Sequence, residues 1–513
     1  MSYSFSGRTH LLVLPNELLE IIFEYLSVVD LAQCIFPLNY SRFNALIYPF
    51  IRIDLTKFPY ETFQSISMVV SFIRIDSKQI DAVHILPALR SLIIVQTDPT
   101  DVNFLSFLPD LSYRLNSLSL HLHKDTNIKN FLRARNLSRL HCPLESLTIE
   151  SNQTSMHFQI DHIISCSTMK RLTIPLSIYH DLLILCEHLP CLEYLEILSS
   201  IGYAENYIFN SAKYVLQKPV SKYLYELKID GHFNFALIEQ FIQLFSSSLQ
   251  YLTLKLYIWN ESIDGYFLEK HIINMCTKLE KFKFHLTFYN NRSRFIDFKS
   301  FQPAHGNYWS THPVVYFDEL VHTIIASLPF TESSFNSFGN YFPNKIFFNC
   351  SDPPPFKHVR EIKLNRSDGP FSLALFKFIE RFFTHATELY ICRYSYLADF
   401  DWTSLPCFPC VTMLTMHKYY DVIDAVNPPD VASLRAFFSM VPNVKRWRTS
   451  IQFLKKFEIS LRTDQQLQNV FERIEEIQIR PNNDKQLKEF IQSIFPNAIV
   501  SFDYLIDDLY SRR

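Results

Sequence analysis

A short apolar pattern that recurs along most of the chain restricts its fold more than any other feature. Apolar residues occupy the first, fourth and sixth positions of a six-residue segment, as in Leu89, Leu92 and Ile94. The other copies are Leu115, Leu118, Leu120; Leu144, Leu147, Ile149; Met169, Leu172, Ile174; Leu192, Leu195, Ile197; Leu224, Leu227, Ile229; Leu249, Leu252, Leu254; Leu279, Phe282, Phe284; Val359, Ile362, Leu364; Ala386, Leu389, Ile391; Val411, Leu414, Met416; and Ile474, Ile477, Ile479, with a weaker copy at Val444 and Trp447. Apolar residues that alternate with polar ones over so few positions predict a series of short β-strands, each with one buried face.

Segments with helical periodicity lie between these strands, for example residues 178–189, 236–245 and 373–383. The copies usually follow one another at roughly 23 to 33 residues, the period of leucine-rich repeats and its near surroundings. Because a strand and a helix of this size cannot bury their apolar faces alone, neighbouring units must stack. We therefore expect an α/β fold, a leucine-rich-repeat solenoid with a curved parallel sheet and helices on its convex side. The alternative is a doubly wound α/β sheet, whose strands would show near-continuous Val and Ile runs.

The pattern also predicts where the parts of the chain begin and end. We expect a helical module at residues 1–57, a degenerate repeat domain at 58–505 and a C-terminal tail at 506–513. Residues 289–356 interrupt the pattern, are rich in Asn, Ser, Phe and Pro, and close with the sequence SDPPP. Since Pro-rich clusters are typical of loops, we expect one irregular repeat and an exposed insertion near 289–356.

The sequence from residue 14 to residue 47 predicts three short helices. Pro15 suits the first turn of a helix, where its missing N–H leaves no bond unmade. Asp30 is a candidate N-cap for the second helix, with Gln33 completing a capping box, and Pro37 ends that helix. Phe43 belongs to the third. The apolar residues that share one face of the first helix are Leu18, Leu19, Ile22, Phe23 and Leu26.

This N-terminal segment resembles the F-box family in the pairs Leu14-Pro15, Glu17-Leu18, Ile22-Phe23, Tyr25-Leu26 and Asp30-Leu31. In that family the module docks on the S-phase-kinase-associated adaptor of a cullin-RING ubiquitin ligase, and an attached repeat domain selects the substrate. The resemblance implies an adaptor-facing surface made of Leu14, Pro15, Leu18, Ile22, Phe23, Leu26 and Leu31. The chain has Phe36-Pro37-Leu38 and Phe43 where the family commonly has a Val and a Trp. The alternative structure is an amphipathic helical cap over the first repeat.

A repeat arc turns the side chains between its core positions toward one concave face. We expect a protein substrate to bind there, on Tyr194, Glu196, Glu226, Lys228, Asp230, Tyr251, Lys255, Lys281, Lys283, Glu361, Lys363 and Tyr390. Mixed charge with tyrosines suits protein recognition, because aromatic anchors supply affinity and charges supply specificity.

Several chemical functions are disfavoured by the residues that the chain lacks. Its seven glycines are never near neighbours, which excludes a P-loop, a dinucleotide fingerprint and a G-x-S-x-G nucleophile elbow. Cys407-Phe408-Pro409-Cys410 has no second ligand pair at zinc-finger spacing. We therefore predict no catalytic residue, no metal, no cofactor and no enzymatic activity. An enzyme with a pocket in the segment near 289–356 is the alternative.

The net charge and the N-terminal sequence together predict the cellular location and exclude some classes of partner. The chain has 49 basic and 51 acidic residues, so no global field favours nucleic acid or an anionic membrane. The N-terminal apolar residues are interrupted by Pro15, Asn16, Glu17 and Glu20, unlike a signal peptide. We expect a soluble intracellular protein of the cytoplasm or nucleus, with neither a nucleic-acid nor a membrane partner.

Together with the F-box resemblance, the repeat pattern predicts a substrate-recognition adaptor of an SCF-type ubiquitin ligase. The F-box would hold the S-phase-kinase-associated adaptor and the cullin complex, and the repeat arc would hold a protein substrate that the sequence does not identify. The alternative is a leucine-rich-repeat scaffold that binds proteins without any ligase.

Overall fold

A computed structural model of the chain describes residue 19 and a series of strands, helices and turns between residues 52 and 502. The described ranges are 52–54, 72–76, 89–95, 115–122, 144–151, 167–176, 179–198, 221–233, 235–259, 263–289, 298–302, 307–318, 322–330, 333–336, 346–364, 373–392, 405–417, 431–480 and 485–502. The chain divides into two compact units. Unit 1 comprises Met1–Lys255 and Ile273–Phe282, and unit 2 comprises Leu256–Ile272 and Lys283–Arg513.

Unit 1 is built on strands that pair in parallel in the order of the chain. They are β1 (Arg52–Asp54), β2 (Phe72–Asp76), β3 (Ser91–Val95), β4 (Ser117–Leu122), β5 (Ser146–Ser151), β6 (Arg171–Pro175), β7 (Tyr194–Leu198) and β8 (Glu226–Gly231). The first residues of β9 (Tyr251–Trp259) and β10 (Lys281–Tyr289) continue this ladder. The Tyr251 amide donates to the Tyr225 carbonyl at 2.9 Å, and the Lys281 amide donates to the Gln250 carbonyl at 3.1 Å.

The core of unit 1 is formed by the apolar triplets of the sequence and by two helices. Buried and part-exposed residues alternate along β4 and β8, as expected for strands with one buried face. Helices α1 (Tyr179–His188) and α2 (Phe235–Phe245) begin within one residue of the positions that the sequence predicts. Phe235, Ile238, Phe241, Ile242 and Phe245 of α2 are buried, at the spacing of one helix face.

Unit 2 contains a seven-stranded sheet whose neighbouring strands are all parallel. Its order is β13 (Ser334–Asn336), β15 (Glu361–Leu364), β16 (Glu388–Cys392), β17 (Met413–His417), β18 (Arg446–Ser450), β19 (Glu476–Arg480) and β20 (Ile499–Phe502). This sheet is open, because β13 and β20 are its two ends. A mixed α/β fold with a large, mostly parallel, open sheet is therefore confirmed, and the described strands do not close into a barrel.

The described helical segments of unit 2 are α3 (Gly265–Leu268) with a π turn (Glu269–Ile273), a 3-10 turn (Phe298–Phe301), α4 (Asn307–Thr311), α5 (Leu373–Phe382), α6 (Val431–Met440), α7 (Ile451–Thr463), α8 (Gln465–Phe471) and α9 (Lys485–Ile494). Helices α5 to α9 share one apolar core with the parallel strands. Phe376 of α5, Phe437 of α6 and Leu389 of β16 belong to this core. Trp447 of β18 lies edge-on to Phe438 at 5.2 Å between ring centroids, a favourable aromatic geometry.

Every residue of the apolar triplets is buried except Leu279, which is part-exposed.

The segment near 289–356 breaks the parallel register, as its sequence predicts, but its described residues are not an exposed insertion. Strands β11 (Val314–Asp318), β12 (His322–Ser327) and β14 (Ile346–Phe348) are antiparallel, in the order β10-β12-β11-β14. Phe301 and Trp309 are buried against each other at 4.9 Å between centroids. The Asn349 amide group donates to both of their carbonyl oxygens, at 3.0 and 3.2 Å. The described residues differ from the predicted exposed insertion because aromatic side chains are buried there, and this burial offsets the loss of parallel strand pairing.

Within the predicted N-terminal module, residues 1–57, the structure describes only residue 19 and residues 52–54. Leu19 is helical and fully buried, in agreement with the predicted first helix at that residue. The other residues of the segment 14–47, and the tail 506–513, lie outside the described residues. Strand β1 begins at Arg52 and pairs with β2, so the sheet starts inside the predicted module 1–57, before the expected boundary at 58.

Asp464 connects helices α6 and α8 of unit 2, and its carboxyl group has a depressed pKa. It is the N-cap of α8 and accepts from the amides of Gln466 and Leu467 at 3.0 and 3.2 Å, while its other oxygen accepts from Arg435 Nε on α6. Burial of this carboxyl opposes its ionisation, but the Leu467 amide and the Arg435 guanidinium outweigh burial and hold the pKa of Asp464 below its usual value.

We predict that Asp464→Asn retains the cap but loses the charge-dependent stability. A carboxyl whose folded pKa is depressed stabilises the fold above its unfolded pKa of about 3.9 and loses that effect as pH falls through the folded value. The wild-type chain should therefore be the more stable at neutral pH, and the difference should shrink on acidification below about pH 4. Denaturant unfolding over this pH range measures it. Asp464→Ala, which also removes the cap, should cost about 1 kcal/mol more; a pH-independent difference for the Asn variant would contradict the assignment.

Thr449 occupies the sixth position of the weaker apolar copy that begins at Val444. It is fully buried, and its hydroxyl has no hydrogen-bond partner among the described residues. Thr173 is the matched case, a buried strand threonine whose hydroxyl donates to Glu196 Oε2 at 3.2 Å. The two threonines therefore differ in hydrogen bonding although both are buried.

We predict that Thr449→Val raises the free energy of unfolding by about 1 kcal/mol, because an unpaired buried hydroxyl is costly. Thr173→Val should lower it by a similar amount, since it removes a bond to a charged group. Urea unfolding of both variants measures the two changes. Equal signs for the two substitutions would show that hydrogen bonding does not distinguish these sites.

Candidate functional site

The outward face of the unit 1 sheet carries polar side chains in rows. The parallel register places Arg171, Tyr194 and Glu226 side by side on β6, β7 and β8, and two residues further on it aligns Thr173, Glu196 and Lys228. Because side chains alternate along a strand, both rows lie on the same face. We call these six residues the Tyr194 cluster.

The Tyr194 hydroxyl is the centre of a hydrogen-bond chain within this cluster. It donates to Glu196 Oε2 at 2.6 Å and accepts from Lys228 Nζ at 3.1 Å. Lys228 also pairs with Glu226 at 3.3 Å. Donors and acceptors on three strands are thus held in one arrangement before any partner arrives, which reduces the entropy that binding must overcome.

Two cations cover the Tyr194 ring. The Arg171 guanidinium carbon lies 4.3 Å from the ring centroid and Lys228 Nζ lies 4.9 Å from it, within range of a cation–π attraction. Tyr194 is only 6% exposed, so its ring positions the neighbouring charges and presents little surface of its own. Arg171 is exposed, and within the described part of the chain it has no carboxylate partner.

The pKa shifts in the cluster keep this hydrogen-bond chain in one direction near neutral pH. Burial raises the pKa of Tyr194, and donation to Glu196 raises it further, against the opposing Lys228 charge. Burial acts to lower the pKa of Lys228, but its bond to Tyr194 and the nearby Glu226 outweigh burial and raise it. Tyrosine therefore stays neutral and lysine stays charged.

Further predicted site residues of unit 1 lie beside the cluster. Lys255 pairs with Asp230 at 3.2 Å, and the Tyr251 hydroxyl donates to Glu280 Oε2 at 3.0 Å. Lys281 is exposed at the start of β10. The structure thus brings most of the predicted residues of this unit together on one polar face, through ion pairs and hydrogen bonds within and between strands.

The predicted residues of unit 2 form a smaller group. Lys363 pairs with Glu361 at 2.9 Å and lies beside Tyr390 in the register of β15 and β16, with Nζ 5.9 Å from the ring centroid. Lys283 is part-exposed on β10. Neither of the two contacts of Lys363 requires a bound metal or cofactor, so they provide only charge and hydrogen bonding.

Several polar residues on the strands of both units were not among the predicted site residues. Arg171 and Thr173 occupy the outward positions of the copy around Leu172, where the same spacing would have found them. In unit 2, Arg448 Nε donates to Gln478 Oε1 at 2.7 Å, and Gln478 Nε2 donates to Glu476 Oε1 at 2.8 Å. Arg448 was hidden because the copy at Val444 lacks its third apolar residue.

The arrangement of outward polar side chains is suited to binding through charge and hydrogen bonds. Within the described part of the chain, no group of three or more His, Cys, Asp or Glu side chains is placed to hold a metal, and Cys407 and Cys410 are free, exposed thiols. None of the described helices combines the length and apolar character that crossing a membrane requires. The adaptor-binding residues predicted from the F-box resemblance, Leu14, Pro15, Leu18, Ile22, Phe23, Leu26 and Leu31, lie outside the described residues.

We predict that Tyr194→Phe lowers the free energy of unfolding by about 1 to 3 kcal/mol, because it removes hydrogen bonds to two charged groups. Tyr223→Phe is the matched control, since Tyr223 is 64% exposed and its hydroxyl should contribute little. Chemical denaturation of both variants provides the measurement. Equal effects at the two tyrosines would mean that the chain through Tyr194 contributes nothing to the fold.

No protein-family model matches the chain, and no similar sequence is found among curated proteins. The functional proposal therefore depends on this chain's own residues and geometry.

Proposed function

We propose that the chain is a substrate-recognition adaptor of an SCF-type ubiquitin ligase. In this proposal an N-terminal F-box is followed by a leucine-rich-repeat solenoid with a curved sheet and helices on its convex side. The observation that carries the proposal is the sequence of residues 14–47, whose Leu14-Pro15, Ile22-Phe23 and Asp30-Leu31 pairs resemble the F-box family. The buried, helical Leu19 is consistent with it.

The polar face of the parallel strands supports the substrate-binding half of the proposal. In the Tyr194 cluster, exposed Arg171 and part-exposed Lys228 lie beside Glu196 and Glu226. Charges of both signs, held in fixed positions, discriminate among protein partners through complementarity. The partner would be a folded protein or a protein segment with matching charges.

In this role the chain breaks no bond itself. Binding the ligase adaptor through the N-terminal module and a substrate on the repeat face raises the effective concentration of substrate near the ubiquitin-transferring subunits. The proposal places the protein in the cytoplasm or nucleus, with the S-phase-kinase-associated adaptor and a cullin as partners. Neither nucleic acid nor a membrane is part of it.

A scaffold without a ligase is the second candidate, and the departures at Pro37 and Phe43 from the family pattern favour it. The two functions differ in one partner. Both require protein binding on the repeat face, but only the first requires the adaptor and the cullin.

A pull-down of the full chain with the purified ligase adaptor tests the proposal. We expect wild-type chain to bind, and Leu18→Asp with Ile22→Asp to lose binding at least about tenfold, because two charges would be buried in an apolar interface. Glu17→Ala with Glu20→Ala is the matched control, since these side chains are predicted on the opposite helix face, and it should bind normally. Circular dichroism checks that each variant folds.

Two outcomes would reject the ligase function. One is a wild-type chain that does not bind the adaptor, and the other is a Leu18→Asp, Ile22→Asp variant that folds and binds as well as wild type. If cellular partners were still captured without adaptor or cullin, the scaffold function would replace it.

A further inference from the structure

A groove of about 810 Å³ lies along the N-terminal ends of parallel strands in unit 2. One wall is a row of residues that immediately precede strands β15 to β19: Arg360, Thr387, Thr412, Lys445 and Glu475. Backbone hydrogen bonds of 2.8 to 2.9 Å join each member of this row to the next. The other wall is formed by the turns between each helix or loop and the next strand, including His385 and Cys410.

The length of this groove fits an extended polypeptide. Neighbouring strands lie about 4.8 Å apart, so the four intervals from Arg360 to Glu475 span roughly 19 Å. An extended chain rises about 3.3 Å per residue, and about six residues would occupy this distance. The volume lies within the range of about 300 to 1,000 Å³ that is usual for organic ligands, and is much larger than an inorganic ion requires.

The charges of the groove differ between its two ends. At the β15 end, Arg360 Nη1 donates to the His385 carbonyl at 3.1 Å, and its guanidinium has no carboxylate partner among the described residues. At the β19 end, Lys445 Nζ is already paired with Glu475 at 2.7 Å, and the exposed Glu472 and Arg473, which precede Glu475 in the chain, also line the groove. The four charged residues at the β19 end balance, two basic against two acidic, so the excess positive charge among the described lining residues is that of Arg360 at the β15 end.

The described residues that line the middle of the groove are uncharged. Thr387 and Thr412 contribute hydroxyl groups, Pro409 and Pro442 contribute apolar surface, and Asn443 contributes an amide whose NH₂ group donates to the Pro409 carbonyl at 2.8 Å. A lining of small polar and apolar groups accepts a peptide backbone with short side chains. Selection of a ligand by its charge therefore depends on the residues at the two ends of the groove.

We propose that this groove binds an extended segment of a partner protein and places an acidic side chain of that segment on Arg360. A carboxylate can accept two parallel N–H bonds from a guanidinium, which provides geometric as well as electrostatic selection. The site lies in unit 2, is separate from the Tyr194 cluster, and does not depend on whether the chain binds a ligase adaptor.

Two native thiols make the proposal testable. Cys407 and Cys410 are both free and exposed, but only Cys410 lines the groove. Thr412, beside Cys410, lies two strand intervals from Arg360, or roughly 10 Å, which equals about three residues of extended chain. A peptide tethered at Cys410 should therefore place a residue about three positions away on Arg360.

The experiment uses disulfide trapping on the purified full-length chain. The probes are short Ala/Thr peptides whose central cysteine carries a mixed disulfide with 2-mercaptoethanol. One peptide has Glu about three residues before the cysteine, one has Glu about three residues after it, and one has Gln at both places. Exchange transfers the peptide sulfur to the protein thiolate and releases 2-mercaptoethanol. Peptide mapping by mass spectrometry measures trapping at Cys410 and at Cys407 under equilibrating thiol conditions.

We expect one of the two Glu peptides to be trapped at Cys410 about tenfold more than the Gln peptide, with no such preference at Cys407. Arg360→Glu and the milder Arg360→Gln should both remove the preference. Lys377→Glu, an exposed cation on α5 outside the groove, should leave it unchanged. Equal trapping of all three peptides at Cys410, or the same preference at Cys407, would overturn the proposal, whatever the adaptor pull-down shows.

Discussion

The structure depends on the way each parallel strand is joined to its neighbour at its first residue. The carbonyl of the residue before one strand accepts amides from two consecutive residues of the next repeat. In unit 1 the Arg90 carbonyl accepts from Asn116 and Ser117 at 2.7 and 3.1 Å, and in unit 2 the Lys445 carbonyl accepts from Glu475 and Glu476 at 2.8 and 3.1 Å. Strands joined in this way start level with one another. The register between neighbouring strands is therefore fixed, because a slip of one residue would turn every apolar side chain of a strand to the wrong face of the sheet.

Both candidate binding regions follow from this constraint. Level strands align their outward residues into rows, so Tyr194 meets Glu196, Lys228 and Arg171 even though 57 positions separate the first and last of these four residues (171 to 228). Level strand starts also align the residues that precede them, and this row is one wall of the groove beside Arg360 and Lys445. Backbone pairing therefore determines where the polar side chains of both regions lie, and the side chains determine the charge of each region.

Sequence reasoning succeeded where structure depends on local spacing. The apolar triplets predicted the strands and their buried faces, and the helical periodicity located α1, α2 and α5 within one or two residues at each end. It was less successful where side chains of distant segments decide the outcome. Thr449 is buried although it is polar, and Phe301 and Trp309 form a buried aromatic contact in the segment near 289–356 that its Pro-rich composition did not predict.

The sequence by itself determined the parallel, strand-and-helix character of the chain, because a period of apolar residues specifies which face of each short element must leave water. It also determined which residues face outward on most strands. Only the tertiary structure decided which of these residues meet, that the Tyr194 ring is covered by two cations, and that Arg360, at one end of a groove, has no carboxylate partner among the described residues. Those outcomes require distances between residues far apart in sequence, and such distances are set by strand pairing, which local composition does not encode.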